Sequence, residues 1–186
     1  MKKQIAVVVG HEPGGGAEGE RAYNLIVQKS LKEMLEAEGF DVFAYVHELK
    51  SYGARQSAMA AAVNKAQPQN LICVELHYND VDAEPANGHQ FHYNACRGLA
   101  VAFASEWQKT FPGSRVRQDR GTLHTPTGDG AGFLRKSPGL AVLVEPFFHS
   151  NKIEWMFFRN KQKEVAEAYG RAMIQFTKRL RCLGRK

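Results

Sequence analysis

With 186 residues and 20.8 kDa the chain has material for one domain and hardly two, and 44% hydrophobic against 24% charged residues is the balance of a globular protein, which excludes global disorder. No apolar run approaches the ~20 residues of a membrane span, no signal-peptide pattern follows Lys2 and Lys3, and three scattered cysteines (Cys73, Cys96, Cys182) argue against a disulfide framework or thiolate cluster and for reduced thiols made in a cytoplasm. The formal charge of +6 sits in residues 171–186, where Arg171, Lys178, Arg179, Arg181, Arg185 and Lys186 meet no acid; the rest balances 19 basic against 19 acidic residues, which weakens the case for a nucleic-acid groove.

Residues 4–9 (QIAVVV) predict a buried strand that stops at Gly10, followed by a glycine-rich loop to Gly19. From Glu20 to Glu38 the spacing of Tyr23, Val27, Leu31, Met34 and Leu35 predicts a helix closed by Gly39. A strand is expected over 41–47, an alanine-rich helix over 54–66 ending before Pro68, and further strands over 70–77 and 88–94. A helix over 96–110 closes at Pro112-Gly113, and the aperiodic, glycine-rich stretch 121–132 is expected to be a mobile loop. Residues 140–145 (LAVLVE) predict the last strand. A final helix over about 161–182 carries Val165, Tyr169, Ala172, Met173, Phe176 and Leu180 on one stripe. Trp107 and Trp155 fall on helices and read as packing residues. Strands alternating with helices, the strands nearly continuous in apolar residues, predict an α/β fold: a mostly parallel sheet with helices on both faces, one domain over 1–186.

In such sheets sites gather at the carboxyl ends of strands. Three strands here end in groups able to do chemistry: Gly10-His11, His77-Tyr78-Asn79 and Glu145. Neutral imidazole and carboxylate suit Zn²⁺, and three protein ligands with an open position make a hydrolytic rather than a structural site. His11 and His77 supply two ligands. Glu20, nine residues after His11, supplies a third, with Glu12 and Glu18 competing from the same loop. Two histidines and one carboxylate leave the ion a net charge of about +1, which favours a bound water acidic enough to ionise near neutrality. Glu145 remains as a carboxylate able to take that water's proton. Each residue also has a plain structural explanation: a hydrogen-bonded strand-end histidine, or an acid in a helix's first turn.

From Ile5 to Phe158 the chain resembles the zinc-dependent N-acetylmuramoyl-L-alanine amidases of bacterial autolysins and phage endolysins. The resemblance rests on Gly10-His11 after an apolar strand and on Glu20-Arg21-Ala22-Tyr23-Asn24-Leu25 opening a helix. It continues in Glu75-Leu76-His77-Tyr78-Asn79, where the family has a strand ending in His-x-Asn, in Gly88 opening the next strand, and in Leu143-Val144-Glu145-Pro146-Phe147-Phe148-His149-Ser150-Asn151. It implies a twisted, mostly parallel sheet flanked by helices and one Zn²⁺ held by His11, Glu20 and His77. It also implies that Glu145 is the catalytic carboxylate, in hydrolysis of the amide between the lactyl group of N-acetylmuramic acid and L-alanine in peptidoglycan.

The sequence departs from the family's pattern at several places. Glu12-Pro13 replaces a Gly-Gly turn. Pro146, Phe147 and His149 stand where small or aliphatic residues are usual and are expected to reshape the cleft rim. Glu75 stands where serine is common; two residues from His77 it shares a strand face with it, either to orient a metal ligand or as an internal ion pair. Asn79, His124 and Arg135 are candidates for substrate contact, Arg135 for a stem-peptide carboxylate. His89 and His92, three apart on an alternating strand, face opposite sides, so at most one reaches the site. The basic last helix either complements its own dipole or meets an anionic envelope. No separate wall-binding module is expected after Phe158, and synthesis in the cytoplasm with action at the cell wall fits an endolysin or autolysin. The competing readings are another zinc amidohydrolase or carboxypeptidase, and a non-catalytic wall- or nucleic-acid-binding protein on the same scaffold.

Overall fold

The computed structural model describes residues 2–81, 86–128 and 130–183. Its strands are β1 (Gln4–Val9), β2 (Asp41–Val46), β3 (Asn70–Leu76), β4 (Gln90–Tyr93), β5 (Thr122–His124) and β6 (Leu140–Glu145). The helices are α1 (Glu20–Ala37), α2 (Tyr52–Ala66), α3 (Arg97–Thr110), α4 (Ala131–Lys136), α5 (Lys152–Phe158) and α6 (Gln162–Leu183). The sheet runs β2-β1-β3-β6-β4-β5, with β4 antiparallel to β6 and every other neighbouring pair parallel. This is the mostly parallel sheet that the alternation of elements predicts.

Period-two alternation divides the core between the two faces. Ile5, Val7, Val42, Ile72, Val74, Val142 and Phe91 pack under α1, α3 and α6, with Trp107 and Tyr169 fully buried among them. Ala6, Val8, Cys73, Ala141 and Leu143 pack on the other face under α2 and α4, against Met59, Val63 and Phe133. Polar contacts complete the docking of α1: Asn24 Nδ2 donates to the Leu76 carbonyl (3.3 Å) and Gln28 Nε2 to the Val7 carbonyl (2.8 Å). They lock the helix in register with the carboxyl ends of β1 and β3. Among the described residues no helix is long and apolar enough to cross a membrane.

The stretch 121–132 and Phe147 differ from expectation. The stretch expected to be an aperiodic loop over 121–132 carries regular structure on either side of Asp129, which lies outside the described residues: Thr122–His124 pair with Phe91–Tyr93 as β5, and α4 begins at Ala131. A three-residue edge strand has too little periodicity to show in sequence, and its order comes from a partner about thirty residues away. Helix α5 follows a side-chain cap, Asn151 Oδ1 accepting from the Ile153 and Glu154 amides. Phe147, expected at the cleft rim, is fully buried and stacks on Phe158 at 4.8 Å. Of the basic tail, Lys178 and Arg179 are exposed, whereas Arg171 is tied to Glu106 (3.3 Å) and Thr110 (2.7 Å). Arg185 and Lys186, and the side chains of Arg181 and Cys182, lie outside the described residues.

His89 points away from the strand ends, into the aromatic core beside Phe91 and Trp107, with Nδ1 3.0 Å from Ser114 Oγ. Burial pushes its imidazole down to about 4. A folded-state value below the unfolded one of 6.5 means that its contribution is complete above 6.5 and disappears as pH falls toward 4. Urea titrations of wild type and His89→Gln at pH 7 and pH 4 are expected to show the wild type losing about 3 kcal/mol more than the variant. Equal losses would exclude His89 as the sensitive group.

Candidate metal centre

The site is built where β1 and β3 end against the start of α1. His11 follows β1 with φ 61°, a left-handed conformation that costs about 1–2 kcal/mol and turns its ring back over the strand ends. Gly10 precedes it because there is no space for anything larger: a Cβ there would lie 2.1–2.7 Å from the His77 ring. The loop closes over the site at Gly16, φ 77°, where a Cβ would meet the His11 ring and the Glu20 carboxylate at 2.6–2.8 Å. Glu12 anchors this loop by an ion pair with Arg55 of α2.

Glu20, the first residue of α1, is 2% exposed. It accepts hydrogen bonds from the Ala17 and Tyr78 amides at 3.0 and 3.2 Å. Burial works to raise its pKa, but hydrogen bonding and charge from His77, then His11, bring it below the usual carboxylate range. His77 Nδ1 lies 3.1 Å and His11 Nε2 3.6 Å from Glu20 Oε1, and the two rings meet edge to face at 4.7 Å. One ligand atom from each of His11, Glu20 and His77 can be chosen so that all lie within 4.8 Å of one another.

On its other edge, His77 Nε2 lies 3.4 Å from Glu75 Oε2. Glu75 is held in turn by His47 Nε2 (2.9 Å) and Gln56 Nε2 (3.1 Å), both buried. Burial opposes ionisation of Glu75, yet His47 and His77 hold it well below the usual carboxylate range. Burial likewise opposes protonation of His77, but its two carboxylate neighbours push it up to about 10. A histidine with one nitrogen on a carboxylate and the other toward the ligand cluster has the arrangement that fixes a metal ligand's tautomer and ring plane.

Across a cleft of about 600 Å³, Glu145 ends β6 and faces the cluster. Its Oε2 accepts from Asn79 Nδ2 at 2.6 Å and lies 3.0 Å from His92 Nε2. His92 reaches the cleft and His89 does not, as alternation along the strand requires. Beyond it stand Thr125 Oγ1, 2.9 Å from His92 Nδ1, and Gln90 Nε2, 3.0 Å from His92 Nε2. His149 stacks on Tyr78 at 5.5 Å.

The structure thus gathers His11, Glu20, His77, Glu75, Asn79 and Glu145. It does not bring His124 or Arg135 to the cleft lining: His124 is exposed on β5, and Arg135 on α4 bonds the Pro126 carbonyl at 3.2 Å. A three-residue strand and a one-turn helix, neither legible beforehand, point these side chains elsewhere. His47, Gln56, Gln90 and Thr125 were not singled out by the sequence, because each acts only through a partner 19 or more residues distant or through strand alternation.

The donor set fits a zinc ion. Two imidazole nitrogens and one carboxylate oxygen converge, His77 held from behind by Glu75 and Glu20 by the Ala17 and Tyr78 amides, in a cradle where glycine is required at 10 and 16.

Residues 5–175 match the model of the N-acetylmuramoyl-L-alanine amidase family. The N-acetylmuramoyl-L-alanine amidase AmiC2 of Nostoc punctiforme superposes with a TM-score of 0.78 at 22% identity, covering 96% of this chain and 98% of that one. The catalytic domain of the CD27L endolysin, which targets Clostridia difficile, gives 0.76 at 22% identity over 93% and 97%. The catalytic domain of CwlV, an amidase from Bacillus (Paenibacillus) polymyxa var. colistinus, gives 0.69 at 21% identity over 95% and 98%. At such identities the structural likeness is one of fold. No sequence among the curated proteins matches the chain.

Proposed function

The chain belongs to the N-acetylmuramoyl-L-alanine amidase family, and from that premise we propose that it works as a zinc enzyme, with His11, Glu20 and His77 holding the ion and Glu145 moving the proton. The reaction is hydrolysis of the amide between N-acetylmuramic acid and L-alanine in peptidoglycan, and the chain is a hydrolase of that class. The observation that carries the assignment of roles is the meeting of the three ligand side chains at the ends of β1 and β3, with Glu145 across the same cleft.

Zinc bound there would supply Lewis acidity, polarising the amide carbonyl and acidifying water. Glu145 takes a proton from the attacking water and returns it to the alanine nitrogen as the C–N bond breaks. Among the described residues the hydrogen-bonding neighbours of its carboxylate all address Oε2, so Asn79 and His92 fix the group from one side. Glu75 orients His77, and His47 and Gln56 keep Glu75 in place. Residues 1–186 act as one catalytic domain, and exposed Lys178 and Arg179 offer the anionic envelope an electrostatic contact.

The test is turbidity of a peptidoglycan suspension, with the products identified. The expected result is a fall in turbidity that EDTA abolishes and added zinc restores, releasing intact stem peptides with a free alanine amine. Release of terminal amino acids would favour a carboxypeptidase. Clearing unaffected by EDTA would overturn the metal assignment, and binding without clearing would leave a wall-binding protein.

A further inference from the structure

Helix α5 leaves an apolar face in solvent. Ile153 and Met156, at 82% and 67% exposure, are the two most exposed large apolar side chains among the described residues, and Phe157 beside them is half-exposed. Positions 153, 156 and 157 are spaced to share one side of the helix. The other side is pinned to the body of the protein. Glu154 accepts from the Gly88 and Phe148 amides at 2.7 and 2.9 Å, and Asn151 caps the first turn and donates to the Ala86 carbonyl at 3.0 Å. Phe158 is buried against Phe147 and Trp107. A helix held in this way cannot roll to hide Ile153 and Met156, so their exposure is a fixed property of the folded chain. Alongside it, Phe111, Pro112, Ile153 and Phe157 line an apolar groove of about 480 Å³.

The charges around this face are mostly positive. Lys152, Arg159 and Lys163 are exposed, and Lys161 Nζ lies 4.8 Å from the centre of the Phe157 ring. Helical spacing sets Lys152 and Arg159 beside Met156, on the flank of the apolar stripe. The one acid within α5, Glu154, is turned inward onto two amides, and Glu164 of α6 answers Lys161 at 3.8 Å. Bare apolar side chains set between cations match the chemistry of an anionic lipid surface: phosphates meet the cations, and the acyl boundary takes the side chains. A wall polymer offers phosphate or carboxylate without an apolar layer, and would leave Ile153 and Met156 uncovered.

We propose that the face of α5 formed by Ile153, Met156 and Phe157, with Lys152 and Arg159 beside it, docks the protein on an anionic phospholipid bilayer. The contact is peripheral. A helix of seven residues is about 10 Å long, far short of a span, and lies along the interface with its apolar side chains at the acyl boundary. The surface is distinct from exposed Lys178 and Arg179 on α6. It is also distinct from the metal cleft, whose described lining includes no residue of α5, so it stands or falls apart from the zinc assignment.

Co-sedimentation of the full chain with vesicles tests the proposal. Wild type is expected to bind vesicles of phosphatidylglycerol mixed with phosphatidylcholine and to stay in the supernatant with phosphatidylcholine alone. Ile153→Ser with Met156→Ser is expected to weaken binding by about tenfold or more, and Lys152→Gln with Arg159→Gln by a similar factor. Lys178→Gln with Arg179→Gln is expected to keep most of the binding. All six positions are exposed, and each variant is expected to melt as wild type does. A second readout is insertion: brominated phosphatidylglycerol is expected to quench Ile153→Trp well beyond wild type, but not Leu49→Trp, placed after the edge strand β2. No binding of wild type to the mixed vesicles overturns the proposal, as do unchanged binding in the Ile153 and Met156 variant and equal quenching at positions 49 and 153. Loss confined to the Lys178 and Arg179 variant moves the contact to α6 and overturns it as well. A wild-type dimer that Ile153→Ser with Met156→Ser dissociates, without vesicle binding, makes this face an interface between copies and replaces the lipid reading.

Discussion

Glu145→Ala is expected to bind zinc at wild-type stoichiometry and to lose about a thousandfold in kcat on peptidoglycan. The two halves of this expectation have separate physical sources. The proposed ligand atoms come from His11 just after β1, Glu20 at the start of α1 and His77 just after β3, whereas the hydrogen-bonding neighbours of Glu145 are Asn79 and His92. Removing it therefore leaves the ligand set and its supports in place. The proton of the attacking water would then have to go to solvent, and the alanine nitrogen would leave as an unprotonated anion, both costly steps. Metal analysis and single-turnover kinetics on one preparation read the two halves together. Loss of zinc in this variant would make Glu145 a ligand, and retained turnover would remove it from the reaction.

Gly10→Ala is expected to have the other large effect, in the opposite pattern: loss of metal and activity together. The new methyl carbon would stand 2.1–2.7 Å from three atoms of the His77 imidazole. That ring has little room to retreat, since Glu20 lies 3.1 Å from one nitrogen and Glu75 3.4 Å from the other. Either the end of β1 shifts, taking His11 with it, or His77 leaves its place between the two carboxylates. A displacement of this kind at a liganding histidine is expected to weaken zinc binding by at least about a hundredfold, read by competition with a chelating dye. Gly53→Ala is the control. It lies in α2 with nothing within 4 Å of the added carbon, and is expected to leave zinc binding and activity unchanged while adding up to about 1 kcal/mol of stability. Wild-type zinc affinity in Gly10→Ala would show that His77 does not serve as a ligand in this position.

Much of this molecule is legible along the chain because the signals are local. QIAVVV, NLICVEL and LAVLVE are apolar runs long enough to announce buried strands, and the spacing of Tyr23, Val27, Leu31 and Leu35 announces a helix face. Short elements carry no such signal. Thr122–His124 becomes a strand only because β4 offers it a free edge, and Ala131–Lys136 becomes a helix only where Phe133 and Leu134 find the core. His124 and Arg135 sit on those segments, and both lie outside the cleft lining.

The sequence by itself determined the fold class and the order of its strands along the chain, and it placed polar, chemically able residues at three strand ends, since strand length and side-chain alternation are properties of neighbouring residues. Only the tertiary structure decided which of those groups face one another. It selected Glu20 from among Glu12, Glu18 and Glu20 by burying it beside His77 while Arg55 took Glu12. It turned Glu75 toward both His77 and His47, and it set His92 against Glu145. The reason is physical: a hydrogen bond between residues fifty positions apart depends on how strands are ordered in the sheet, and strand order is settled by packing across the whole core.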